Sequence, residues 1–385
     1  MHENLSANRA RRALCILAAA AGLSGIAQAA DPGVGDTEIV IGNSLTLQGG
    51  KNPYGVAALG GMMNYFDALN ASGGIFGRKI VVRTLDDDNN NATAEANARK
   101  LVQDGVFLLF GPVEDGPSTA VMKAAVELKV PLFGPIAGPS ALRRPFQPMV
   151  FPVQAERREE FRALMTWGQR IGLKTVAFFH ADSEGGRHHV EDVNSIAKEL
   201  AMQLLLPLPV KADATDADFD RMVKAMQAAK PDMIFNHGAP GPYQKLVTKA
   251  KQAGLKTTYM GVNSGSSQIV QRVGPLAQGM VFAQVVPSPW ERKREITREY
   301  QDATLKANPD VEFSYAGLEG FMTAKALAMA LKATGRNLSR ASLIKTLESS
   351  TFDLGGVKMR HTPDEHEGSR FVDISLVARD GRFIH

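Results

Sequence analysis

Three features of the sequence predict an α/β fold of two doubly wound parallel-sheet lobes joined by a multi-strand hinge. Apolar strand-length runs alternate with helical periodicities from Asp36 onward, and the alternation restarts after Phe151-Pro152-Val153. Three stretches read as crossings between lobes: Phe151 to Ala155, Val285 to Trp290, and Gly355 to Met359. Once a leader of 30 residues is set aside, about 355 remain, more than one ordinary core accommodates. The expected division is 1–30 as leader, 31–153 with 287–356 as lobe 1, and 154–286 with 357–385 as lobe 2.

The first lobe opens with the strand Glu38 to Gly42. A glycine-rich loop follows, then Asn52-Pro53, an N-cap residue ahead of proline at the first helical position. Val56, Leu59, Met63, Phe66 and Leu69 recur at spacings of three and four and predict one buried stripe. Ser72-Gly73-Gly74 ends that helix, and Lys79 to Leu85 forms the next strand. A helix from Ala92 to Gln103, a strand from Val106 to Phe110, a helix from Pro117 to Leu128 and a strand at Pro131 to Gly134 complete the half. In the second lobe, helices near 161–171, 189–202, 218–229 and 243–253 alternate with strands around Thr175, Leu204, Asp232, Thr257 and Gly279. Residues 291–350 are helical by periodicity, and the tail reads as a strand pair about Arg379-Asp380-Gly381.

Arg9, Arg11 and Arg12 precede an apolar stretch from Ala13 to Ile26 and then Ala27-Gln28-Ala29, the pattern of a cleavable secretory signal. The expected location is therefore the periplasm. Cys15, the only cysteine, lies in that leader, so the rest of the chain has no thiol for disulfides, thiolate metal sites or nucleophilic catalysis. Removing residues 1–30 leaves 41 basic against 39 acidic residues, which excludes a polyanionic partner such as nucleic acid.

Seven stretches carry a resemblance: Ser44-Leu45-Thr46, Pro53-Tyr54-Gly55, Ala71-Ser72-Gly73-Gly74-Ile75-Phe76-Gly77-Arg78-Lys79, Leu85-Asp86-Asp87, Lys129-Val130-Pro131, Gln252-Ala253-Gly254-Leu255 and Met260-Gly261. In this order they resemble the type I periplasmic solute-binding proteins, in the branched-chain amino acid branch that serves ABC importers. The resemblance implies a monomeric receptor, without catalysis or cofactor, that closes on a small ligand and delivers it to a membrane permease. It also implies where the ligand sits. Tyr54 matches an aromatic lining the cleft; Glu114-Asp115-Gly116 and Ile136-Ala137-Gly138 match the loops that take a ligand carboxylate; Glu184, His237, Ala239 and Asn263 face them from the second lobe.

The chain departs from the family's amino acid clamp at several of these positions. Asp115 stands where a hydroxyl residue is expected, and Asn263 where an acid takes the ligand ammonium. An aspartate within ~4 Å of a ligand carboxylate would cost ~4 kcal/mol at an effective dielectric near 20. Unless Asp115 turns away, the ligand there is neutral or cationic. Backbone N–H groups near Gly116 and Gly138 favour an anion instead. The ligand class that survives both arguments is a small polar organic solute, with amino acids among the candidates.

Other motifs have weaker readings. Asp86-Asp87-Asp88 follows no G-x-G-x-x-G or P-loop and is expected to cap a strand end. His188-His189, with His180 and Glu184 nearby, lacks metal-site spacing and reads as exposed or cleft-edge histidines, so no metal is expected. Ser342 and Lys345 match the S-x-x-K of exported serine hydrolases but lack the companion motifs, and Ser339 to Leu347 reads as a capped helix. The Arg157-Arg158 run alternates with glutamates and reads as a solvated face. Trp167 is expected in a core and Trp290 at a crossing. Two rival functions remain: a ligand-sensing module for a signalling partner, and a hydrolase acting through Ser342 and Lys345.

Overall fold

The computed structural model describes residues 31–237 and 240–385. The expected leader and Ala239 lie outside them. Strands β1 (Glu38–Leu45), β2 (Lys79–Asp86), β3 (Leu109–Phe110), β4 (Leu132–Phe133) and β5 (Val150–Phe151) form a parallel sheet in the order β2-β1-β3-β4-β5. From Ile39 onward every residue of β1 is buried, as a central parallel strand covered on both faces requires. Helices α1 (Pro53–Ala71), α2 (Asn91–Gln103) and α3 (Asp115–Glu127) connect these strands.

The second sheet contains β6 (Thr175–Ala181), β7 (Gln203–Val210), β8 (Met233–Asn236), β9 (Thr258–Gly261) and β10 (Val281–Gln284), with β14 (Asp373–Val377) and β15 (Phe383–Ile384) added antiparallel at one edge. Its helices are α4 (Arg157–Arg170), α5 (Glu184–Glu199), α6 (Asp216–Ala229), α7 (Pro240–Gln252) and α8 (Ser266–Val273). The chain then returns to the first core through α9 (Glu295–Ala307), α10 (Tyr315–Thr334) and α11 (Arg340–Ser349). Strands β11 (Thr351–Asp353), β12 (Lys358–Thr362) and β13 (Glu365–Gly368) make a small separate sheet, and the His366 ring reaches the Val150 carbonyl at the end of the first sheet. Residues 358–368 therefore pack with the first sheet, whereas the expected division gave all of 357–385 to lobe 2. Only from Asp373 does the tail pair with the second sheet.

The N-terminus of α1 is fixed from both sides. Asn52 accepts the N–H groups of Tyr54 and Gly55, and a Cβ on Gly55 would stand 2.0 Å from the Thr46 carbonyl oxygen. The stripe that α1 buries differs from the apolar pattern: Gly55, Ala58, Gly61, Met62, Phe66 and Leu69 are buried, while Val56 is exposed. Backbone contact explains the difference. A Cβ on Gly61 would lie 1.8 Å from the Gly317 carbonyl oxygen, and one on Gly320 would lie 2.0 Å from that of Ala58. Glycines let α1 and α10 touch main chain to main chain, which sets Tyr54 against the side chains of α10.

The acidic run after β2 does cap the strand end. The Asp86 carboxylate accepts backbone N–H groups of Leu47, Gln48, Gly49 and Asp88, and Asp87 accepts the hydroxyls of Ser44 and Thr46. These bonds hold the loop that leads into α1. At the crossing, Trp290 stacks on Phe383 at 6.1 Å and meets Tyr315 edge-on at 5.2 Å. It thereby touches an element of each sheet's lobe. Trp167 packs partly buried on the second core.

Candidate functional site

Four helix starts and one strand-end loop bring the polar residues of the cleft together. Tyr54 comes from α1, Asp115 from the first residue of α3, Arg157 and Glu160 from the first turn of α4, and Glu319 from the second turn of α10. Asn263 lies just beyond β9. The Arg157 amide also donates to the Gly138 carbonyl at 2.9 Å, so the start of α4 is tied to a loop of the first lobe.

Arg157 is 3% exposed, which corrects the expectation of a solvated face. Its guanidinium donates to Glu160 Oε1 at 2.7 Å and to Asp115 Oδ1 at 3.2 Å. Gly138 N–H also donates to Asp115 Oδ1, at 3.3 Å. Burial pushes the Asp115 carboxyl up, but Arg157 and the Gly138 N–H outweigh it and hold the group below its usual range. The repulsion expected between Asp115 and a ligand anion is thus met inside the protein, by Arg157. The Gly138 N–H is likewise engaged, which removes it as a free anion donor.

Glu319 has a different environment. Only 1% exposed, it accepts the Tyr54 hydroxyl at 3.0 and 2.9 Å on its two oxygens and the Asn263 amide at 2.8 Å. Among the described residues no Lys, Arg or His pairs with it. Burial pushes its carboxyl up to about 7, against the hydrogen bonds from Asn263 and Tyr54. Glu160 is also raised by burial, though Arg157 and the Asn263 N–H, which donates at 2.6 Å, partly offset this. One buried guanidinium therefore pairs with Asp115 and Glu160, while Glu319 and, nearby, Glu114, whose carboxyl is raised by burial and by Asp115, make no ion pair among the described residues.

The remaining expected residues fall in several places. His237 directly follows β8 and packs against His189 with ring centroids 4.3 Å apart. Burial pushes His189 down to about 2 and His237 to about 4, so both rings are neutral at pH 7. His189 and His180 are thus buried rather than cleft-edge groups, while His188 is exposed. Ile136 and Ala137 are 3% exposed and their side chains belong to the two cores of the first lobe; hydrogen bonding of the Ile136 amide to Pro112 turns the loop that way. A Cβ on Gly116 would stand 2.5 Å from Asn91 Oδ1, so that glycine serves packing of α3 on α2. Glu184 is exposed in the first turn of α5.

Sequence reasoning missed Arg157, Glu160 and Glu319. Glu319 did carry a signal, as a lone acid between Gly317 and Gly320 near the start of a helix that is otherwise almost wholly apolar or small. Arg157 and Glu160 carried one too, three residues apart directly after a crossing. Ser342 completes a capping box: the Ser339 hydroxyl, at the N-cap, accepts the Ser342 N–H, and the Ser342 hydroxyl accepts the Ser339 N–H.

Two cavities lie in this part of the molecule, and the smaller one borders the site residues. One of about 260 Å³ lies between the lobes beside Tyr54 and Asn263. A larger one of about 580 Å³ is walled by Arg143, Arg144, Glu156, Arg158 and Arg162 among others, and ion pairs such as Arg144–Glu156 and Arg162–Glu199 take up much of its charge.

Two α/β lobes around a polar interlobe cleft have the architecture of a solute receptor. Residues 38–381 match the periplasmic binding protein family, and the chain belongs to it. It is 23% identical over 309 residues to the leucine-, isoleucine-, valine-, threonine-, and alanine-binding protein of Pseudomonas aeruginosa, across 78% of this chain and 81% of that one. The substrate-binding periplasmic protein from Ralstonia solanacearum superposes with a TM-score of 0.80 at 25% identity, covering 90% of this chain and 99% of the other. A solute-binding protein of an ABC transporter from R. palustris, in complex with benzoate, gives 0.76 at 18% identity over 90% and 95%. The chain is a solute-binding protein of an ABC transporter, and its family is non-enzymatic.

Proposed function

We propose that this receptor captures a small solute bearing an ammonium or comparable cationic N–H group, which Glu319 accepts inside the closed cleft. The observation that carries the reading is the buried Glu319 carboxylate, hydrogen-bonded to Tyr54 and Asn263 but lacking a cation. A carboxylate offers about four lone-pair sites, so it can accept a ligand N–H beside the two protein donors. An unpaired buried anion is costly, and a cationic ligand offsets that cost only when the lobes close around it. Tyr54, Asp115, Gly138, His237 and Asn263 line this cleft in the proposal, with Arg157 and Glu160 holding the two lobes in register. Amino acids, the ligands named for the Pseudomonas relative, are within this class.

In this proposal the lobes divide as 31–153 with 287–368, and 154–286 with 373–385. The mature protein starts after residue 30, works in the periplasm as a monomer and hands its solute to the permease of an ABC importer. Isothermal titration calorimetry at pH 7.5 with amino acids, simple amines and benzoate tests the ligand class. Ammonium ligands should bind, and Glu319→Gln should weaken them by about tenfold to a hundredfold, the worth of a hydrogen bond to a charged group. Tight benzoate binding unaffected by that substitution would refute the proposal.

A further inference from the structure

The cavity of about 260 Å³ beside Tyr54 and Asn263 has walls of mixed polar and apolar chemistry. Ser266, Ser267, Gln268 and Gln271 line one side and Ser314 the other, with Pro53, Ala57 and Ala316 among the apolar remainder. Among the described residues no Leu, Ile, Val, Met or Phe lines it. An isobutyl or sec-butyl group placed there would rest on Tyr54, Tyr315, Pro53, Ala57 and Ala316 along one part of the wall, but would strip water from the Ser267, Gln268 and Gln271 groups along the other without replacing it.

Two further observations point to what the cavity accepts. Asn263 is 3% exposed, and its amide nitrogen is used on Glu319 while its Oδ1 has no hydrogen-bond partner. That is a buried acceptor without a donor, on a residue that lines the cavity. Opposite in character, α8 begins with Gly265 at its N-cap, which supplies no capping side chain, so the first-turn N–H groups at Ser267 and Gln268 are donors without an intrahelical acceptor. Glu312 also lines the cavity and opposes an anionic group there.

Resting on the Glu319 reading, we propose that this cavity is a subsite for an uncharged tail that both donates and accepts hydrogen bonds: a hydroxyl or a carboxamide. The receptor then selects a hydroxylated or amide-bearing amine over its aliphatic counterpart of the same shape. A site built to hydrogen-bond a substrate group rejects the analogue lacking it much more strongly than an apolar pocket distinguishes sizes.

Calorimetry with matched pairs reads this directly: threonine against valine, asparagine against leucine, and asparagine against aspartate. The polar, uncharged member of each pair should bind at least about tenfold tighter. Ser267→Ala and Gln268→Leu, each checked for an unchanged circular dichroism spectrum, should narrow the threonine-to-valine ratio. Valine and leucine binding as tightly as their polar partners, with Glu319→Gln weakening all of them, overturns the tail subsite and leaves the Glu319 reading intact. A retained polar preference that Glu319→Gln does not affect removes the ammonium contact and keeps the subsite. Failure of every member to bind overturns both.

Discussion

Replacing Glu319 with glutamine separates what this side chain does for the ligand from what it costs the fold. The substitution keeps an acceptor for the Asn263 amide and a partner for the Tyr54 hydroxyl, but removes the charge. Burial raises the folded-state value from 4.5 to about 7, so the folded protein binds a proton that the unfolded chain has released over this interval. The sign follows: stability attributable to this group falls as pH rises from about 4.5 to 7, and the full penalty applies above 7. A displacement from 4.5 to about 7 corresponds to about 3 kcal/mol at alkaline pH.

For about 355 residues an unfolding entropy of about 2.1 cal/mol/K per residue gives roughly 1.3 °C per kcal/mol, so Glu319→Gln should melt about 4 °C higher than the parent at pH 8.5 without ligand. At pH 5.5 the gap should shrink to about two-fifths of that. The buried His189 and His237 add a trend of opposite sign, because depressed histidine values withdraw stability as pH falls below 6.5. Both proteins share those rings, so the difference between them isolates Glu319. Scanning fluorimetry from pH 5.5 to 8.5 gives the measurement. A gap that does not change with pH, or a variant less stable at pH 8.5, would show that Glu319 is not the strained group described here.

Arg157→Ala should destabilise the protein by about 3–5 kcal/mol in urea denaturation, because Asp115 and Glu160 are left facing each other without their cation. Gly320→Ala forces a Cβ to within 2.0 Å of the Ala58 carbonyl, so α1 and α10 must separate; a loss of about 1–3 kcal/mol in thermal melts is expected, with weaker ligand binding as Tyr54 draws away from Glu319.

The order of strands and helices was legible because it rests on local signals. Asn52 before Pro53, the diglycine after Ser72 and the acids after β2 each specify a backbone feature within a few residues. The face of α1 was legible only in part, since Gly55 and Gly61 make the closest contacts and glycine contributes nothing to an apolar pattern. Asp115 and Asn263 were singled out by resemblance, yet their partners were not. A charged residue beside another charged residue reads as surface unless the fold is known to turn that helix end inward, and the crossing before Arg157 does this. Residues 358–368 misled for a related reason: where a short strand packs depends on a partner distant in sequence, here the end of β5.

Trp290 gives the receptor an optical gauge of its own movement. Its indole lies between Phe383, carried by the second sheet, and Tyr315, at the start of α10 in the first core. At 44% exposed it is open to solvent on one side, so any rotation of one lobe against the other changes both its ring contacts and its hydration. Trp167, seated on the core of a single lobe, supplies a constant background. The emission maximum of the unmodified protein should therefore track closure during a titration, with no dye or label attached.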